Sequence, residues 1–401
     1  MTHRCNLTIA MLALTATLSA CSGGGDSTAP PGGGGGGGSN NPPPPPPTTG
    51  TLDFNIVTTG VDVDADGFFI AVDGGFPKGI PANGTLSLTM MGPGAHTLAL
   101  TGLAFNCDAT VPASADVVVG TTTKVDLLGS CKPYLRNAII YTSEQFGIPE
   151  IMVMRPDGSR RERLTTDQAS YSVPVVSPDG QSIAVASYVG GGWNGIYLLD
   201  RFGKTRTKLV GNSNFDGSPA WSPDGTKIAF RSMLHGPYGD YGRIFVVNRD
   251  GTGLRQVSPE VAATDYKFDD SPAWSPDGTQ LVFSRSGDLF LISADGTGLI
   301  STGVQGEQPA WSPDGTTIAY GSIGGGQDGV WAMNGSFTPH RVTSQANDYM
   351  PRWSPDGNQI VFQRLEGGVF QLYKMSADGS GATKLSNVAK HESQASWSPN
   401  F

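Results

Sequence analysis

The sequence predicts an all-β chain: a six-bladed β-propeller closed by its own C-terminal strand, preceded by a small β-sandwich module. Three observations predict it. One phrase, SPAWSPDGTKIAF at 218–230, returns as SPAWSPDGTQLVF, QPAWSPDGTTIAY, MPRWSPDGNQIVF and, more worn, VPVVSPDGQSIAV. The Ser of each SP(D/N) turn stands at 177, 222, 275, 312, 354 and 398, a period near 40 with several short strands per unit. The first unit lacks one strand and the last unit, QASWSPNF, supplies one.

The chain has 401 residues. His3 and Arg4 precede the apolar run LTIAMLALTATLSA, which is too short to span a bilayer and reads as a secretory signal over 1–20. Leu18-Ser19-Ala20-Cys21 resembles the lipobox of bacterial lipoproteins. That resemblance implies cleavage before Cys21 and lipidation of its sulfur. Ser22 is similar to the residue that accompanies outer-membrane sorting in such lipoproteins, so an outer-membrane lipoprotein is expected, periplasmic or at the surface.

Residues 21–50 carry seven glycines at 32–38 and six prolines at 42–47. Such composition buries no core and reads as a tether, flexible in its glycine half and extended in its proline half.

Residues 51–132 contain short alternating runs, among them DFNIVTT, FFIAVD, TLSLTM and TKVDLL, separated by Gly, Pro, Asn and Asp. Period-two strands with turn punctuation predict a small β-sandwich. The run at 72–103 loosely resembles PEGA-type and immunoglobulin-like accessory modules of bacterial surface proteins. Once Cys5 leaves with the signal and Cys21 takes lipid, Cys107 and Cys131 remain in an oxidising compartment and suggest one disulfide. A metal pair is the weaker alternative, with no further Cys or clustered His nearby. Asp62, Asp64, Asp66, Gly67 and Asp73 fit a calcium-loop spacing, but the flanking sequence is strand-like and an Asp-rich turn is the better reading.

From 133 to 401 the repeat takes over. In 217–258, GSPAWS is an innermost strand, SPDG a tight turn, KIAFRS and RIFVVNRD the next strands, and LRQVS the outermost. Four antiparallel strands make a blade. Trp221, Trp274, Trp311, Trp353 and Trp397 recur at one position of the phrase, which favours packing between blades over a ligand box. The unit at 138–165 has three strands, and QASWSPNF offers the fourth, so pairing the chain ends would close the ring and remove its edges. The motif PxWSPDGxxIAF resembles the propeller repeats of TolB and of prolyl oligopeptidase-type peptidases over about 265 residues. Two departures bear on function. TolB carries an α/β domain where this chain has a β module, and the peptidases add a hydrolase domain whose G-x-S-x-G elbow is absent here.

Asp216, Asp269, Asp270, Glu307, Asp348 and Glu392 enter the innermost strands, with Tyr171 at the corresponding place in the second unit. They are expected to form a partial acidic ring at one channel mouth, suited to a cation or a basic peptide. Tyr188, Trp193, Tyr238 and Tyr241 lie in glycine-rich loops and are candidates for a recognition surface. The histidines of the mature chain show neither metal spacing nor a partnered nucleophile. A net charge of −9 argues against nucleic acid. The expected function is a non-enzymatic, monomeric envelope scaffold that binds a protein or peptide, needs no cofactor and holds no metal. The alternative is a propeller-type lyase or hydrolase acting on an envelope glycan.

Overall fold

The computed structural model describes residues 45–400, apart from 64–66, 190–191, 212–214, 237–238, 261–266, 323–327, 344 and 387. The expected signal over 1–20, Cys21 and nearly all of the expected tether therefore lie outside the described residues. The chain divides into units of residues 1–46 and 47–401, and every strand belongs to the second. All regular structure among the described residues is β.

Eight strands make two four-stranded sheets at the N-terminal end of that unit. They are β1 (Gly50–Gly60), β2 (Phe68–Val72), β3 (Lys78–Ile80), β4 (Gly84–Met91), β5 (Gly94–Thr101), β6 (Cys107–Thr110), β7 (Ser114–Val117) and β8 (Thr122–Cys131). The sheet orders are β4-β1-β8-β6 and β3-β2-β5-β7. Alternation along β1 puts Leu52, Phe54 and Ile56 inside, against Phe68, Ile70, Ile80 and Leu127. Cys107 and Cys131 stand opposite each other on β6 and β8 and form a disulfide.

The calcium-loop spacing has another use. Asp62 forms an ion pair with Arg201 at 2.5 Å and accepts the Tyr134 backbone N–H at 2.8 Å. Asp73 accepts the Thr97 backbone N–H at 2.8 Å and contacts His96 Nδ1 at 2.6 Å. Asp64 and Asp66 lie outside the described residues. Asp62 thus reaches from the N-terminal sheets to the repeat region.

Six further sheets follow, each of four antiparallel strands. Five are built from consecutive strands. The first is different: β9 (Ile139–Ser143), β10 (Glu150–Met154) and β11 (Glu162–Arg163) are joined by the last strand, Glu392–Trp397, which pairs antiparallel with β9. Apolar clusters fill the space between successive sheets. Ala186 and Ile196 of one sheet meet Ile228 and Phe230 of the next beside Trp221, and Ala229 and Ile244 meet Leu281 and Phe283 beside Trp274.

The serine of the SPDG phrase explains why the phrase is kept. Ser222 Oγ accepts the Lys227 backbone N–H at 2.9 Å and donates to Asp224 Oδ1 at 2.6 Å. Asp224 Oδ1 in turn accepts the Thr226 backbone N–H at 3.0 Å. Gly225 sits at φ 68°, a conformation an L residue adopts only with strain. The Ser222 hydroxyl and the Thr226 N–H hold the Asp224 carboxyl down at about 2. Ser275, Ser312 and Ser354 repeat the arrangement. At Ser398 the partner comes from the far end of the repeat region: its Oγ accepts the Ala138 backbone N–H at 2.6 Å, and its own N–H donates to the Ala138 carbonyl at 2.8 Å.

Candidate functional site

Each innermost strand carries a register shift just before its Trp position, and one residue at each shift lies in left-handed backbone space. These are Val173, Ser218, Ser271, Gln308, Met350 and Gln394, with φ between 49° and 55°. An extra residue in one strand is a β-bulge, and it re-aims the side chains that follow. The bulges also stitch neighbouring sheets together. Gln394 Oε1 accepts the Val173 backbone N–H at 2.9 Å, and Gln308 Oε1 accepts that of Met350 at 3.2 Å.

The acidic residues at the start of these strands do not form an open ring. Asp216, Asp269, Asp348 and Glu392 are all buried. Asp269 is gripped by Arg285, Nε to Oδ1 at 2.5 Å and Nη2 to Oδ2 at 2.7 Å. Asp348 is held the same way by Arg364, at 2.6 and 3.0 Å. Arg161 reaches both oxygens of Glu392 at 2.9 Å. Burial pushes the Asp216 carboxyl up, against the pull of the Ser232 hydroxyl and Arg231. Asp270 accepts the Ser218 hydroxyl at 2.7 Å and faces Arg231 at 3.7 Å. Glu307 alone of the set is partly exposed with no ion pair among the described residues. Tyr171 is buried and donates to Asp167 at 2.6 Å. The physical reason is register: Asp269 stands directly across from Arg285, and Asp348 across from Arg364, so a bidentate pair closes inside each sheet. A signal existed in the sequence, since both pairs share one separation of 16 residues.

At the other end of the same strands lies a cavity of about 350 Å³. All six innermost strands contribute to it. Trp221, Trp274, Trp311, Trp353 and Trp397 line it, with Pro178, Pro223, Pro313, Pro355 and Pro399 from the turns. The tryptophans therefore have two faces of use. Each packs in a cluster between sheets, and each also borders the cavity. Three of them also tie sheet to sheet, by Nε1–H donation from Trp221 to Val175 O, Trp274 to Ala220 O and Trp353 to Ala310 O at 3.1–3.2 Å.

Among the described residues, one charged side chain joins the tryptophans, prolines and serines of the lining. The position before the Trp is Val175, Ala220, Ala273, Ala310 and Ser396 in five strands, and Arg352 in the sixth. Arg352 Nη1 donates to the carbonyls of Gln308 at 3.2 Å and Pro351 at 2.8 Å. No carboxylate pairs with it among the described residues. Burial pushes its guanidinium down to about 10, which leaves it charged at neutral pH. The phrase MPRWSPDG made the substitution visible, but the step from Ala to Arg says nothing about where the side chain goes.

The aromatic loop candidates are only partly placed. Tyr188 is exposed, and Tyr241 lies under the Arg243 guanidinium at 4.6 Å. The Trp193 side chain and all of Tyr238 fall outside the described residues. No cluster of three metal-ligating side chains occurs among the described residues.

Residues 136–338 and 305–401 match the family model described as the TolB beta propeller domain. A protein TolB homolog of Chlorobium luteolum is 30% identical over 164 residues, which cover 40% of this chain and 34% of that protein. A Tol-Pal system protein TolB of Francisella tularensis subsp. mediasiatica is 27% identical over 137 residues, covering 34% and 29%. The chain thus spans about a third of the length of these curated relatives. Among solved structures, TolB from Acinetobacter baumannii superposes with a TM-score of 0.57 at 20% identity, covering 66% of this chain and 67% of that one. That likeness concerns the fold.

Proposed function

The chain belongs to the TolB beta propeller domain family, and on that premise we propose that it is a non-enzymatic scaffold that binds a protein or peptide in the cell envelope. The observation that carries the proposal is the cavity where all six innermost strands converge, lined by five tryptophans and by turn prolines. Trp and Pro offer large rigid surface that loses little entropy on binding, and aromatic-lined depressions are the usual seats of extended peptides. The volume falls within the ~300–1,000 Å³ of small-ligand pockets, enough for a few side chains and not for a folded domain. The buried pairing of Asp269, Asp348 and Glu392 with arginines supports a binder over a lyase or hydrolase, because acids held this way are poor proton carriers.

In this reading the six repeated sheets are the blades of one ring, closed by Glu392–Trp397, and the two N-terminal sheets are an accessory β-sandwich. Cys21 carries a lipid, and the Gly/Pro tether holds the ring off the outer membrane. Relatives named for the Tol-Pal system make an envelope partner the fitting class.

Filling the cavity tests the proposal. The double variant Ala220→Phe, Ala273→Phe places two rings in it from adjacent strands. Recovery of envelope proteins by the full-length chain should fall at least about tenfold, equivalent to about 1.4 kcal/mol. Unchanged recovery with an intact melting transition would move the binding surface elsewhere.

A further inference from the structure

We propose that the cavity takes a carboxylate, presented by a bound peptide, on the guanidinium of Arg352. This rests on the scaffold reading and gives the peptide its chemistry.

The surroundings of Arg352 carry the inference. Among the described residues it is the one charged side chain lining the cavity, and its counterparts in the other five strands are Val175, Ala220, Ala273, Ala310 and Ser396. A charge withdrawn from bulk water into a recess walled by tryptophan and proline is unfavourable unless something pairs with it. Elsewhere in these sheets Arg285, Arg364, Arg161 and Arg163 each hold a buried carboxylate, and Arg243, which like Arg352 donates to two carbonyls, faces the exposed Glu260 at 3.8 Å. Arg352 has none among the described residues, only two carbonyls, and both are taken by Nη1. The Nε–Nη2 edge of the fork donates to no described residue. That edge presents two parallel N–H groups, the geometry that a carboxylate accepts side-on.

The class of anion follows from the cavity. One guanidinium neutralises one negative charge, which suits a carboxylate. A phosphate dianion would leave charge uncompensated against tryptophan and proline. The tryptophans give the remainder of the peptide an apolar seat. The chain's net charge of −9 opposes this weakly, since charges beyond about 8 Å are screened at physiological ionic strength. The sign is opposite to the basic partner expected from the acidic residues, because Asp269, Asp270, Asp348 and Glu392 are paired with arginines, whereas Arg352 has no carboxylate among the described residues.

Two sources supply a carboxylate: an acidic side chain or a chain terminus. Three pentapeptide probes of one Leu/Pro-rich sequence separate them. One has a free C-terminus, one is amidated, and one is amidated with an internal Glu. All have acetylated N-termini. Titration calorimetry with the full-length protein should give at least one carboxylate probe an affinity about tenfold or more above the neutral amide. Whichever carboxylate probe wins names the source. Arg352→Met should abolish the preference while leaving the melting temperature equal or higher. On the native protein, the Arg352 Nε–H resonance should shift downfield with the preferred probe and not with the amide.

Equal affinity for all three probes, no measurable binding of either carboxylate probe, or a preference that survives Arg352→Met overturns the proposal. If Arg352→Met still captures envelope partners that the Ala220→Phe, Ala273→Phe variant loses, the carboxylate fails and the scaffold stands. If the cavity-filling variant also keeps them, the scaffold site itself fails.

Discussion

At Asp269 a single carboxylate separates two accounts of this protein. As an exposed rim charge it would contribute little to stability and much to attraction of a cation. In the structure it is fully buried, and its two oxygens meet the Arg285 fork. Removing one member of such a pair leaves the other charged and desolvated, a loss of about 3–5 kcal/mol. Asp269→Asn is therefore expected to lower unfolding stability in urea by that amount. The double variant Asp269→Leu, Arg285→Met should lose far less, because neither charge is stranded. A single variant within about 1 kcal/mol of the native protein would mean the pair is solvated after all. Ser312 makes the related point for the turns. Its hydroxyl bonds Thr317 N–H at 3.0 Å and Asp314 at 2.5 Å, so the phrase is preserved by hydrogen bonding as well as by turn shape.

Among the elements, the last strand is the one whose importance its position conceals. Terminal segments usually tolerate truncation, but only where their backbone and side chains are not tied down. Here Ser393, Ser396 and Trp397 are in register with β9, and Ser396 Oγ donates to Pro174 O at 2.6 Å in the neighbouring sheet. Gln394 accepts the Val173 N–H and Trp397 is buried. Deleting 393–401 removes all of these and exposes the free edge of β9, a template for aggregation. Loss of soluble expression, or a drop of many degrees in melting temperature, is expected. A truncated protein that melts like the native one would show that the pairing with β9 contributes little to the fold. The six bulges belong to this scale too. A residue in left-handed space costs roughly 1–2 kcal/mol when it is not glycine. Its recurrence in all six innermost strands indicates that the bulge is what turns each strand's Trp position toward the cavity.

For the molecule as a whole, the N-terminal sheets are fastened to the repeat region by mixed contacts. Arg155 donates to the carbonyls of Phe105 at 2.7 Å and Cys107 at 2.9 Å, Asp62 pairs with Arg201, and Tyr134 stacks edge-on against Phe105. One of these contacts sits on Cys107 of the Cys107–Cys131 bridge and two on Phe105, two residues before it. Attachment of the whole chain to a membrane rests on the proposed lipid at Cys21. Replacing Cys21 by Ser and fractionating cells should move the protein from the membrane pellet to the soluble envelope fraction. A variant that still pellets after a salt wash would require another anchor.

Local order was readable from residues alone. The repeated SPDG turns and the period-two runs report short-range preferences, which are written in neighbouring residues, and the Cys107–Cys131 bridge follows from a count of the cysteines left to pair. The strand boundaries around 217–258 follow from them. The all-β class follows for the same reason. What the residues did not reveal was the partner of each charge. Asp269 reads as a rim acid because its arginine lies on the facing strand, and Asp62 reads as part of an Asp-rich turn because Arg201 is far along the chain. At Arg352 the phrase shows only that an arginine replaces a small residue, while the structure places it in the cavity lining with no carboxylate partner among the described residues. Burial and pairing are properties of three-dimensional neighbours. The strand-forming tendency of Asp-Asp-Ser-Pro-Ala-Trp at 269–274 is the same whether its acids face water or an arginine, and only the packed sheets decide between them.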